Sequence, residues 1–187
     1  MRILNKTTVL ILTGFFISTF IFGQENKNIL HWSATRKLTA NDFAIKTGQL
    51  ESSTSFAQFS VDFKVNGFDF LTKNFNKKVR NYMIRSASWI DTTAGITQSL
   101  IYQQTLFGIS EIYSRQFRKA LRENRKRIAE GIKIAEELSE QCMTDFAKRR
   151  IGYDKETKFG TDGIKQKEWE TQVQKELTEL KDFAYEK

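Results

Sequence analysis

The chain contains one histidine, His31, and one cysteine, Cys142, and these counts limit the chemistry that its side chains can perform. A single imidazole excludes a multi-histidine metal site within one chain, and a single thiol cannot form an internal disulfide. Ser–His or Cys–His catalysis would have to use His31, which lies close to the expected start of the mature chain. A Ser–Lys dyad or a carboxylate pair stays open, although no spacing singles one out.

The stretch with the most informative spacing is LIYQQTLFGISEIYSR, residues 100–115. In a helix of the form H-E-x-x-H, two imidazoles four residues apart bind zinc and the glutamate acts as general base. Here Tyr102 and Leu106 keep the spacing of the imidazoles, and Gln103 stands at the glutamate position. Leucine has no lone pair, a neutral phenol is a poor zinc ligand, and an amide does not take up a proton near neutral pH. We therefore predict no metal and no catalytic residue here, with Tyr102 and Leu106 packed as an apolar pair.

This stretch resembles the metal-binding helix of a bacterial family of secreted zinc-dependent proteases, which reads roughly L-x-H-E-Q-x-H-F-D-I-x-E-x-x-x-R. The matching residues are Gln104, Phe107, Ile109, Glu111 and Arg115. Tyr102 and Leu106 stand where the family has its two histidines, Gln103 where it has the catalytic glutamate, and Gly108 where it has an aspartate. The resemblance implies a zincin-like metalloprotease scaffold that has lost its metal site.

Shorter elements on both sides follow the same family in order. Residues 32–43 are similar to its W…L-T-W-x-D-F opening, although Ala40 replaces the second tryptophan. Residues 86–90 are similar to its S-W element, residues 153–160 to Y-D-x-E-T-x-H-G, and residues 166–169 to Q-x-x-W. In this alignment Phe159 replaces a third histidine, which would be a further metal ligand.

Hydrophobic periodicity divides the chain into a strand-rich half and a helix-rich half. Apolar and polar residues alternate over 59–65, Asn66-Gly67 predicts a turn, and residues 68–70 resume the alternation. A further strand is predicted over 79–84. We interpret residues 30–90 as a small antiparallel sheet.

From Thr93 onward the apolar residues follow helical spacing, with Thr92 or Thr93 as the candidate cap. The predicted helices cover 96–121, 128–146 and 169–183, and a polar loop covers 152–163. Cys142 lies on the apolar stripe of the second helix, which indicates a core thiol. The predicted fold class is therefore α+β, with three helices packed on one small antiparallel sheet.

Residues 1–23 have the composition of a signal peptide. Arg2 and Lys6 precede an apolar run over 9–22, and Gly23 suits a cleavage site, although Ile21 fits the usual pattern poorly. The run is shorter than the ~18–20 residues of a spanning helix. We predict that residues 24–187 form a single metalloprotease-like domain, secreted or periplasmic after cleavage near Gly23. The alternative is an uncleaved leader that anchors the protein in the membrane.

The formal net charge is +8, and the densest basic run follows the informative stretch. Its members are Arg115, Arg118, Lys119, Arg122, Arg125, Lys126 and Arg127. Such a run predicts peripheral contact with an anionic envelope surface, such as lipid headgroups or acidic polysaccharide, or else a solvated helix face. No nucleic-acid-binding motif occurs, so nucleic acid is not an expected partner, and no cofactor is predicted.

These patterns together predict an exported, non-catalytic protease-like protein with a binding or structural role in the cell envelope. Its partner would be an unknown protein or an anionic surface. One alternative is a secreted hydrolase that uses zinc or carboxylates such as Glu111 at an unrecognised site. The other is a membrane-anchored envelope component.

Overall fold

The computed structural model describes residues 26–47, 54–63, 75–93 and 95–185. Over these residues the strands are β1 (Ile29–His31), β2 (Ile45–Thr47), β3 (Ser55–Phe63) and β4 (Val79–Asp91). The helices are α1 (Ile96–Glu123), α2 (Arg125–Ile128), α3 (Lys133–Thr157) and α4 (Gly163–Glu179). Short 3₁₀ segments cover Ala40–Asp42, Phe75–Lys78 and Lys181–Phe183.

The predicted α+β class is confirmed, with the short helix α2 added to the three predicted helices. The predicted leader at 1–23 and the predicted strand and turn residues at 64–70 lie outside the described residues.

The sheet is built around β4. Strand β3 pairs antiparallel with one edge of β4, so that Phe59 lies opposite Met83. The other edge is shared by two short strands: β1 pairs antiparallel, with Leu30 opposite Met83, and β2 pairs parallel, with Lys46 opposite Ile90. The sheet is therefore mixed, and the prediction of an antiparallel sheet was wrong. Strands of three residues are too short for alternation to reveal them or their direction.

An irregularity in the middle of β4 explains why its second half was not predicted as strand. Phe56 lies opposite Trp89 but Gln58 lies opposite Ile84, so β4 carries extra residues at this point. The Ser88 hydroxyl donates to the Ile84 carbonyl at 2.6 Å and accepts from the Gln58 amide at 3.0 Å. These bonds satisfy backbone groups that the irregularity removes from the ladder.

Helix α1 is the central element of the fold. It packs on β3 and β4 with one face and on α3 and α4 with others. The Phe107 ring stacks on Phe59 with 4.7 Å between centroids, and Ile109 and Ile112 are fully buried. Each such side chain stabilises the fold by roughly 1.5–3 kcal/mol through burial. Within the described ranges, no helix is both long and apolar enough to cross a membrane.

Several predicted boundaries differ from the observed ones; helix α4, for example, spans Gly163–Glu179 where 169–183 was predicted. The residue that caps α1 is Gly95, in a left-handed conformation with φ 64°, whereas the Thr93 hydroxyl and amide both donate to the Asp91 carboxylate. Helix α3 continues to Thr157 through the first half of the predicted polar loop, and the chain reverses only between it and α4. The helix persists because Tyr153 and Thr157 are buried, which outweighs the loop-like composition around them.

Candidate functional site

Tyr102, predicted above to pack as an apolar pair with Leu106, joins α1 to α3. Its ring stacks on Tyr153 with 5.0 Å between centroids, and its hydroxyl donates to the Asp154 carboxylate. Burial raises the pKa of the Tyr102 phenol well above its usual range, and the hydrogen bond to Asp154 raises this pKa further. Tyr102 therefore stays protonated at neutral pH and acts as an anchor between two helices.

The segment that follows α3 closes over Tyr102 through its glycine. A Cβ at Gly160 would lie 2.7 Å from the Cβ of Tyr102, and Gly160 has φ 84°, so both space and backbone conformation require glycine here. The preceding Phe159, at the position of the third histidine, is 50 % exposed, and its φ is 56°. Phe159 therefore does not share the buried environment of Tyr102.

Gln103 and Leu106 point into different parts of the interior. Gln103 is fully buried, and its Nε2 donates to the Ser55 hydroxyl of β3 at 3.0 Å. Its Oε1 is buried without a hydrogen-bond partner among the described residues. Leu106 is fully buried in the main hydrophobic core. The positions 102, 103, 106 and 159 therefore do not meet in one cleft, and no group of three His, Cys, Asp or Glu side chains able to hold a metal lies in the described part of the chain.

A buried ion-pair network occupies the next turns of α1. The Glu111 carboxylate, 1 % exposed, accepts from Arg115 Nε at 3.1 Å and from Arg118 Nη1 at 2.8 Å. Its other oxygen accepts from Asn81 Nδ2 at 3.4 Å. Arg118 also donates to the backbone carbonyls of Val79 and Phe183. Both guanidiniums and the carboxylate are thus inside the domain; all three nitrogens of Arg118 donate, whereas Arg115 donates from Nε and Nη1.

The burial of this network contradicts part of the predicted basic surface. Arg115 and Arg118 are 5 % and 0 % exposed, so they cannot belong to a solvent-facing patch. They are buried because helical spacing places them on the same side as Glu111, four and seven residues further along α1. The remaining members of the run are exposed: Lys119, Arg122, Arg125, Lys126 and Arg127. Their contact with an anionic surface stays a prediction.

The face of α1 beside Tyr102 lines a groove of about 980 Å³ between α1, α4 and residues 32–38. We name this space the α1–α4 groove. The close approach of the two helices depends on Gly108, where a Cβ would lie 2.8 Å from Val173 Cγ1. The apolar residues of its walls are Trp32, Ala34, Leu38, Leu100, Ile101, Val173 and Leu177. The uncharged polar residues are Ser33, Thr97, Gln104, Thr105, Thr171, Gln174 and Thr178.

The charges around the groove are mostly positive. Lys37, Lys167, Lys181 and Arg115 line it, with Glu170 as the acidic residue among its lining side chains. A second cavity of about 250 Å³ shares Trp32, Ala34, Arg115 and Lys181 with the groove and reaches the buried ion-pair network. We name it the cationic cavity. The cationic cavity therefore adds further positive charge at one end of the groove.

Sequence reasoning missed both spaces. The polar residues of α4 look like an ordinary solvated face, and the segment 32–38 has no periodic pattern that would place it against α1. Gly108 is the one signal that could have pointed to the groove, since a glycine within a helix often marks close packing. No protein-family model, curated protein or solved structure matches this chain.

Proposed function

We propose that this chain is an exported, non-catalytic binding protein on a zincin-like scaffold, and that the α1–α4 groove is its binding site. One observation carries the proposal. Tyr102, Gln103 and Leu106, which the resemblance aligns with zinc-site positions, are packed inside the domain, while the adjacent face of the same helix lines a large open groove. Grooves with apolar walls and a few polar groups are the usual form of binding sites.

The carboxylates near the groove support a binding role better than a hydrolytic one. Both oxygens of Glu111 already accept hydrogen bonds from buried donors, and Asp154 is held by Tyr102 and lies 3.8 Å from Arg150 Nε. A general base must reach the proton of a substrate or of an attacking water. Neither of these two carboxylates is free to do so without breaking contacts that hold α1 in place. The carboxylate that lines the groove itself, Glu170, pairs with Lys167 at 3.2 Å and accepts from Gln166 Nε2 at 3.3 Å.

Site-specific photo-cross-linking in the native cell envelope tests the binding role. A photoreactive residue at Ile101, inside the groove, should give a discrete adduct. The matched control is Ile151, which is 69 % exposed and does not line the groove. An adduct of equal yield at both positions, or cleavage of a denatured protein substrate by the purified chain, would overturn the proposal.

Export is proposed on the composition of residues 1–23. The intact mass of the endogenous protein should correspond to a chain that begins at or near Gln24. Peripheral attachment through the exposed basic residues should be lost in a high-salt wash, because the Debye length falls from ~10 Å at 0.1 M to ~3 Å at 1 M salt. A full-length mass together with retention in the membrane at high salt would favour the anchored alternative.

A further inference from the structure

The buried ion-pair network carries an unbalanced charge. Two guanidiniums, Arg115 and Arg118, share the single carboxylate Glu111, and all three side chains are 6 % exposed or less. A buried charge is costly unless an opposite charge compensates it. The network therefore favours an additional anion nearby.

The cationic cavity is the space in which such an anion would fit. Four cationic side chains line it, Arg80, Arg115, Arg118 and Lys181, against the one carboxylate of Glu111. The guanidinium of Arg115 lies 5.2 Å from the centroid of the Trp32 ring, and that of Arg80 lies 4.8 Å from the Tyr185 ring. These cation–π contacts restrain the positions of both guanidiniums.

The donors in this cavity are not all used. All three nitrogens of Arg118 donate to carbonyl or carboxylate oxygens. By contrast, Arg115 donates from Nε and Nη1, and neither its Nη2 nor the ammonium of Lys181 has a hydrogen-bond partner among the described residues. Arg115 and Lys181 line both spaces, so the unused donors lie where the groove meets the cavity.

The groove has the dimensions and the chemistry of an extended peptide. From Thr97 to Arg115 it follows α1 for roughly 27 Å at 1.5 Å per residue, which about eight extended residues would span. The hydroxyls of Thr105, Thr171 and Thr178 already donate to helix carbonyls. The side-chain amide of Gln174 and the Nε2 of Gln104 make no hydrogen bond with a described residue. A peptide carbonyl can accept from these two amides, whereas an acyl chain that displaces water would leave them unpaired.

We propose that the cationic cavity binds the C-terminal carboxylate of an extended peptide whose body lies in the α1–α4 groove. This inference rests on the proposed binding function of that groove. Arg115 and Lys181 would donate to the carboxylate, and Arg80 would add positive charge. The basic rim formed by Lys37 and Lys167 makes the groove favour neutral or acidic peptides over basic ones.

Two matched pools of eight-residue peptides, randomised in sequence, test the proposal with the mature chain. One pool ends in a free carboxylate and the other in an amide; dodecanoate represents an acyl carboxylate. After equilibrium gel filtration, mass spectrometry counts the retained peptides. We expect retention of the acid pool to exceed that of the amide pool roughly tenfold or more, since hydrogen bonds to charged groups are the strong ones.

Lys181→Gln, at an exposed position, should reduce retention of the acid pool more than that of the amide pool and so lower the ratio of the two, while the melting temperature stays the same. Lys148→Gln on α3, outside both cavities, is the matched control and should change neither. Equal retention of both pools would overturn carboxylate recognition but leave a binding groove intact. Retention of neither pool, or of dodecanoate alone, would overturn the claim that the ligand is a peptide. The cross-linking experiment would still decide the proposed function.

Discussion

The two halves of helix α1 differ in the charge of the side chains that they bury. In the N-terminal half, Tyr102 and Leu106 are neutral and packed, and the amide of Gln103 faces the sheet. In the C-terminal half, Glu111, Arg115 and Arg118 remain charged and form a buried network beside a cavity. The comparison shows that one half of α1 contributes neutral packing to the core, while the other half buries charged side chains that are paired with one another.

The largest expected effect is the loss of Arg118. Arg118→Met would leave Glu111 with fewer donors and would remove the bonds to Val79 and Phe183. Breaking a buried ion pair by removing one partner costs about 3–5 kcal/mol in free energy of unfolding. Lys119→Met, its exposed neighbour, should change this free energy by no more than about 0.5 kcal/mol. Denaturant unfolding of both variants measures the contrast, and similar small changes in both would mean that the network is not part of the folded core.

The next effect tests the neutral half of the helix. Leu106→His should lower the free energy of unfolding by about 1–3 kcal/mol in zinc-free buffer, because it buries a polar ring with no arranged partner. Leu106→Met controls for the change of shape and should cost less than about 1.5 kcal/mol. Thermal unfolding reports both values. An unchanged melting temperature for Leu106→His would mean that this locus is an open, wet cleft.

A smaller effect concerns the free energy of unfolding at alkaline pH. The folded pKa of Tyr102 is raised above the ordinary 10.0, so the unfolded chain releases this proton first. The stability that Tyr102 contributes is fully present below pH 10.0 and is lost as the pH rises above it. Tyr102→Phe should cost about 1 kcal/mol at neutral pH through the lost hydrogen bond, and should make the alkaline loss of stability shallower. Identical slopes for variant and wild type would place Tyr102 in solvent.

The smallest effect is on the rate at which a disulfide reagent modifies Cys142. Burial raises the pKa of this thiol to about 12, and its Sγ donates to the Tyr113 carbonyl at 2.9 Å. Because the thiolate is the reactive form, a disulfide reagent at pH 8 should modify the folded protein far more slowly than the denatured protein. Equal rates would show that α3 does not cover this side of α1.

The elements that could be predicted from the sequence are those with a long and unbroken hydrophobic pattern. Helix α1 was predicted nearly to its observed ends because one apolar stripe runs through it without interruption. The second half of β4 was missed because its irregularity breaks the alternation after Ile84. The burial of Arg118 was missed because a basic run looks solvated unless its partner, Glu111, is considered on the same helix face. The cationic cavity could not be predicted at all, since it depends on the packing of residues distant in sequence.

The central claim is that Tyr102, Gln103 and Leu106, which the resemblance aligns with zinc-site positions, lie in the core of this protein and bind no metal. Its most direct test is the zinc content of the mature chain purified without added metal or chelator, measured by mass spectrometry of the metal. We predict a zinc content far below one ion per chain, unchanged in Gln103→Ala and Glu111→Gln. Stoichiometric zinc that is lost in either variant would contradict the claim and would return this locus to a working metal site.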